Sequence, residues 1–166
     1  SPAERELWPQ GHNKITRDAL SPYLTSEQLD NVYEGHILAD QNQEPENSHI
    51  HAMLEPNSTY LQGIEKMRNY FVSKMVSFLS TNNYVTLGEA LHCIQDAYSP
   101  PHNFKYWDGS IWSYIPHVFE GILPLCTERE SAVNATREVY QNVVNSDGSN
   151  ESIENIFDEW LEGYDN

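Results

Sequence analysis

Residues 59–80, TYLQGIEKMRNYFVSKMVSFLS, place Leu61, Ile64, Met67, Phe71, Met75 and Phe78 at steps of three and four. That period draws one apolar stripe along a helix of about six turns, too long for a strand and too apolar on one side to stand alone. Such a helix needs partners, and the rest of the chain offers them. NKITRDAL carries Ile15, Ala19 and Leu20 on one side and stops at Ser21-Pro22; TSEQLDNVYEGHILAD starts on Thr25 or Ser26 as N-cap and repeats Leu29, Val32 and Tyr33. A further helix is predicted from a Thr86 cap to Pro100-Pro101, with others over HVFEGILPLC, ERESAVNATREVYQNVV and SIENIFDEWLEGY. Residues 41–58 hold two prolines and no sustained period, which reads as a long loop. No segment alternates with the period of a strand, so the expected class is all-α: a compact single-domain helical bundle spanning residues 1–166, with 1–7 read as a processing or expression remnant.

Size and charge bound the function. A chain of 166 residues with 39% hydrophobic content can bury one core. Nine Lys and Arg stand against 25 Asp and Glu, a formal charge of -16 spread along the chain, which excludes a polybasic phosphate-tracking surface. No apolar run reaches the roughly 20 residues of a membrane span. Cys93 and Cys126 allow one disulfide at most and form no C-x2-C pair.

The chemistry concentrates in EALHCIQDAYSPPHNF, residues 89–104. His92 and Asp96 lie four apart, on one face of a helix, and the Pro-Pro break frees His102 to fold back beside them. Imidazole and carboxylate in that pattern suit a divalent metal ion. More donors follow the same order along the chain: His12 beside a helix start, Asp40 and then His49 and His51, and His117 with Glu120. Each alone reads as ordinary polar surface, but together they form a ligand set drawn from several segments.

Trp8, His12, Asp40, His49, the His92-x3-Asp96-x5-His102 run and a later His with an acidic partner resemble the zinc-dependent phospholipase C / S1-P1 nuclease superfamily. The central match is ALHCIQDAYSPPHNF; GHNKITRDAL resembles the first-helix motif, and ILAD followed by SHIH the Asp and His pair. The resemblance covers about Trp8 to Glu120. It implies an all-α fold with two to three zinc ions. Asp40, His49, His92 and Asp96 would hold one ion, His102, His117 and Glu120 a second, and His12, Asp96 and Trp8 a third, with Asp96 bridging. His49 is preferred to His51 for the SHIH environment. The family uses the amino group of a terminal Trp, so the resemblance implies either cleavage between Leu7 and Trp8 or a third ion without those ligands. It also has His-x3-acid where this chain has His117-x2-Glu120, two residues that still share a helix face.

The implied activity is hydrolysis of a phosphodiester by zinc-activated water, with Asp40 orienting or deprotonating that water. Phe104, Tyr106, Trp107 and Trp112, just past His102, are candidates for a lipid-facing lip, a headgroup cage or base stacking. The acidic charge ranks a glycerophospholipid at a membrane surface first and single-stranded nucleic acid or a 3′-phosphate second. A zinc-stabilised interaction or toxin module without turnover is the third reading. The expected location is secreted or extracellular, with an inhibitor or immunity protein as a possible partner.

Overall fold

The computed structural model describes residues 10–42, 44–99 and 126–165. Among these the chain forms helices joined by short connections, and no strand: α1 Gln10–Leu20, α2 Ser26–Asp40, a 3-10 helix Pro45–His51, α3 Tyr60–Thr81, α4 Tyr84–Asp96, α5 Cys126–Val144 and α6 Asn150–Asp165. This is the all-α class expected from the periodicity. The predicted helix over HVFEGILPLC and the Pro100-Pro101 break lie outside the described residues.

Local chemistry sets the helix ends. Thr25 caps α2 and Thr59 caps α3, each in a reciprocal box with the glutamine three residues on, Gln28 and Gln62. Helix α3 ends at Asn82 in the left-handed region, at φ 54°, and the side chain of Asn83 then accepts a hydrogen bond from the Val85 N–H to start α4. Thr86, read from sequence as that cap, instead lies buried inside the first turn. The Asn-Asn pair explains the shift: asparagine tolerates the left-handed conformation and is a better N-cap than threonine.

Helix α4 is the axis of the bundle. From Thr86 to Asp96 all but one of its residues are buried, against α2, α3, α5 and the 3-10 helix. On the α3 stripe Met67, Phe71, Met75 and Phe78 enter the core and Ile64 is half-buried, whereas Leu61, one turn from the cap, is 77% exposed. Phe71 meets Phe157 of α6 at 5.5 Å between ring centroids. Both are fully buried, each stabilising the fold by about 1.5–3 kcal/mol. Arg68 forks onto Asp158 with two 2.9 Å hydrogen bonds, tying α3 to α6. Tyr164 donates to the Ala97 carbonyl and the Trp160 indole N–H to the Tyr98 hydroxyl, so α6 holds the chain just beyond Asp96.

The crossing of α2 over α4 positions the site. Gly35 and Gly88 meet there, and a Cβ on either would run into the backbone of the other helix. Only glycine permits this approach. It brings His36 and Asp40, just beyond Gly35 on α2, against His92 and Asp96, just beyond Gly88 on α4.

Candidate metal centre

A helix buried on almost every side that still carries His92, Gln95 and Asp96 must satisfy them from its neighbours, because an unpaired buried polar group costs about 1–3 kcal/mol. The neighbours supply three imidazoles and a carboxylate: His12 from α1, His36 and Asp40 from α2, and His51 from the end of the 3-10 helix. His36, His51 and His92 are fully buried, Asp96 is 1% exposed, and the Asp40 side chain is 13% exposed at the rim.

Asp96 is the hub. Its Oδ1 lies 2.9 Å from His12 Nε2; its Oδ2 lies 3.0 Å from His51 Nδ1 and 3.0 Å from His92 Nε2. Asp40 Oδ1 approaches His92 Nε2 from the other side at 3.1 Å. The rings of His12 and His92 stack with centroids 3.9 Å apart, and His51 stands edge-on to His92 at 5.2 Å. Two groups, His12 with His36 and His92, and Asp40 with His51 and His92, bring one ligand atom from each residue within 4.8 Å of the others. These buried His and Asp groups are close enough to bind a metal ion.

The outward nitrogens are anchored. His12 Nδ1 faces Gln95 Oε1 at 2.9 Å, and His51 Nε2 faces the Asn42 carbonyl at 2.8 Å. Both oxygens can only accept, so these nitrogens carry the proton and donate. The other nitrogen of each ring, facing Asp96, is then a lone pair unless the ring is charged. His92 Nε2 sits between two carboxylate oxygens, 3.0 Å from Asp96 Oδ2 and 3.1 Å from Asp40 Oδ1. Imidazole nitrogens converging on carboxylates, with the far nitrogens of His12 and His51 hydrogen-bonded outward, are the arrangement of a metal-binding histidine set. The residues present therefore fit a divalent ion.

Burial opposes charge on His92, but the combined pull of Asp96 and Asp40 overrides it and raises the pKa well above 6.5. His36 goes the other way: burial, then His12 and His92, lower it well below 6.5, so it is neutral. Asp40 is disfavoured as an anion by burial, yet His92 beside it brings its pKa below the usual value. The Cys93 thiol on α4 is free and buried, and burial pushes its pKa up.

Of the residues singled out in the sequence, His12, Asp40, His92 and Asp96 come together. Trp8, His102, His117 and Glu120, and the aromatics Phe104, Tyr106, Trp107 and Trp112, lie outside the described residues. His49 is not in the cluster. It stands edge-on to Tyr70 at 5.5 Å and lines a cavity of about 400 Å³ with Met53, Glu55, Gln62 and Lys66. The place expected for it is taken by His51, two residues on, because the segment is a 3-10 helix that turns His51 inward before Ala52 reverses the chain at φ 51°. His36 went unread in the sequence, although His36-x3-Asp40 repeats the spacing of His92-x3-Asp96. Comparison with family models, curated proteins and solved structures finds no match to this chain.

Proposed function

We propose that this chain is a zinc-dependent phosphodiesterase, a phospholipase C acting on glycerophospholipids, as its resemblance to the phospholipase C / S1-P1 nuclease superfamily implies. The observation that carries the reading is the convergence of His12, His51 and His92 on Asp40 and Asp96, with the far nitrogens of His12 and His51 held by protein oxygens. Three imidazoles with two carboxylates form a mixed nitrogen and oxygen donor set that suits zinc.

Zinc, when bound, lowers the pKa of water from about 15.7 to about 7 and polarises a phosphoryl oxygen. The protein's own groups supply the rest. Asp96 turns one oxygen to His12 and the other to His51 and His92, which suits a carboxylate shared between two ions. Asp40, at the rim and ionised, accepts a hydrogen bond from the attacking water and orients it. Burial of His51, His92 and Asp96 keeps bulk water from the inner ligands. A charge of -16 disfavours a polyanionic nucleic acid and leaves a zwitterionic or neutral phospholipid surface as the preferred substrate.

The test is diacylglycerol release from phosphatidylcholine vesicles by zinc-loaded protein, with single-stranded DNA in parallel and chelator as the blank. Chelator-sensitive diacylglycerol supports the phospholipase. Cleaved DNA without lipid product replaces it with the nuclease, and silence on both with zinc bound replaces it with a non-catalytic zinc module.

A further inference from the structure

Behind the inner ligands runs a second buried chain of polar groups. His92 Nδ1 lies 3.1 Å from His36 Nδ1; His36 Nε2 lies 2.8 Å from Thr16 Oγ1; Gln95 Nε2 donates to that same oxygen at 3.0 Å; and Gln95 Oε1 accepts from His12 Nδ1 at 2.9 Å. Thr16 and His36 are fully buried and Gln95 is 2% exposed, so water does not complete the chain. Its two ends are two of the inner imidazoles, and its middle is one hydroxyl.

Proton counting gives the chain a direction. A Gln95 amide that accepts from His12 must donate from Nε2, and Thr16 Oγ1 takes that bond in one lone pair. When His92 ligates through Nε2, its proton stays on Nδ1 and is donated to His36 Nδ1, so His36 donates its Nε2–H to the second lone pair of Thr16 Oγ1. At the other end His12 donates from Nδ1 and turns Nε2 toward Asp96.

We infer that Thr16 is a positioning residue for two metal ligands at once, fixing the tautomer of His12 through Gln95 and that of His92 through His36. The inference rests on the metal reading above and deepens it: neither ligand's proton placement is independent of the other, because both depend on one oxygen. A reversed hydroxyl that donated to His36 would turn His36 Nδ1 into a donor and His92 Nε2 into an N–H, unable to ligate.

The test uses zinc alone, by competition against a chromophoric chelator, with nitrogen-15 spectra of the histidine rings read alongside. Thr16→Val keeps the shape and removes the acceptor; Thr16→Ser keeps the hydroxyl. Expected are a loss of about 10- to 100-fold in zinc affinity for Thr16→Val and affinity close to the parent for Thr16→Ser. In the zinc-loaded parent, His12 and His92 should be protonated at Nδ1 and His36 at Nε2. Equal affinity of Thr16→Val and parent overturns the positioning role, as does the opposite tautomer at any of the three rings. The spectra come from the unaltered protein, so they decide the matter even where Thr16→Val fails to fold. A parent that binds no zinc overturns the metal reading itself, a result distinct from tight binding that ignores Thr16.

Discussion

The Nδ1 atoms of His36 and His92 lie 3.1 Å apart across the α2–α4 crossing, so one ring must donate and the other accept. The opposed pKa shifts decide which. His92, whose pKa the carboxylates raise, carries the proton, and His36, whose pKa burial lowers, remains neutral and accepts. The same donor serves with and without metal, because ligation at Nε2 leaves Nδ1–H in place. His36, Thr16 and Gln95 thus need not rearrange when the ion binds.

Zinc must therefore displace a proton. Without metal, the raised pKa of His92 contributes stability that is fully present below about 6.5 and lost as pH rises through the folded value. Zinc affinity runs the opposite way, falling by about tenfold for each pH unit below that folded value for one displaced proton. Calorimetric titration at pH 7 in two buffers of different ionisation heat should give at least one proton released for the ion held by His92. Identical heats in both buffers would mean that His92 is already neutral.

His49 and His51 separate by function. His51→Ala removes a fully buried ring that faces Asp96 and the Asn42 carbonyl, and should lower bound zinc measured by mass spectrometry on the purified protein. His49→Ala removes a ring that meets Tyr70 and lines the neighbouring cavity, and should leave zinc content unchanged. The reverse result would reinstate His49 as the ligand.

The contrast shows what sequence can carry. His92 and Asp96 were legible because an α-helix puts residues four apart on one face, whatever surrounds it. His49 and His51 were not: in a 3-10 helix residues two apart point to different sides, and a segment with two prolines and no apolar period gives no sign of which side is inward. His36 had the same i, i+4 signal with Asp40 as His92 has with Asp96, but its role depends on Gly35 and Gly88 allowing two helices to touch, a pairing made in three dimensions. Leu61 fits the α3 stripe by period and is nonetheless exposed, since period alone does not tell how far along a helix its partners reach.

Gly88→Ala tests that contact. The added methyl would meet the Val32 carbonyl and the Cα of Gly35, so α2 must move away from α4. Urea denaturation should show a loss of about 1–3 kcal/mol, the usual cost of overpacking. Gly163→Ala in α6 meets no atom within 4 Å and should be neutral or gain up to about 1 kcal/mol from helix propensity. A neutral Gly88→Ala would show that the crossing has slack.

Asp96→Asn tests the hub. The substitution keeps the shape of the side chain, so packing on α4 is preserved, but it removes the charge that faces His12, His51 and His92 together. An amide can offer only one oxygen and no negative charge to a cation, and its nitrogen would face an imidazole lone pair or a metal ion. Stabilisation by a bound ion grows with the ratio of its concentration to Kd, reaching about 4 kcal/mol at a thousandfold excess over Kd. The parent should therefore melt at a higher temperature with zinc than with chelator, and Asp96→Asn should melt at nearly the same temperature in both. Because each protein is compared with itself, a general loss of stability in the variant cannot imitate this result. A full zinc-dependent rise in Asp96→Asn would assign the ion to other groups and remove Asp96 from the centre of the site.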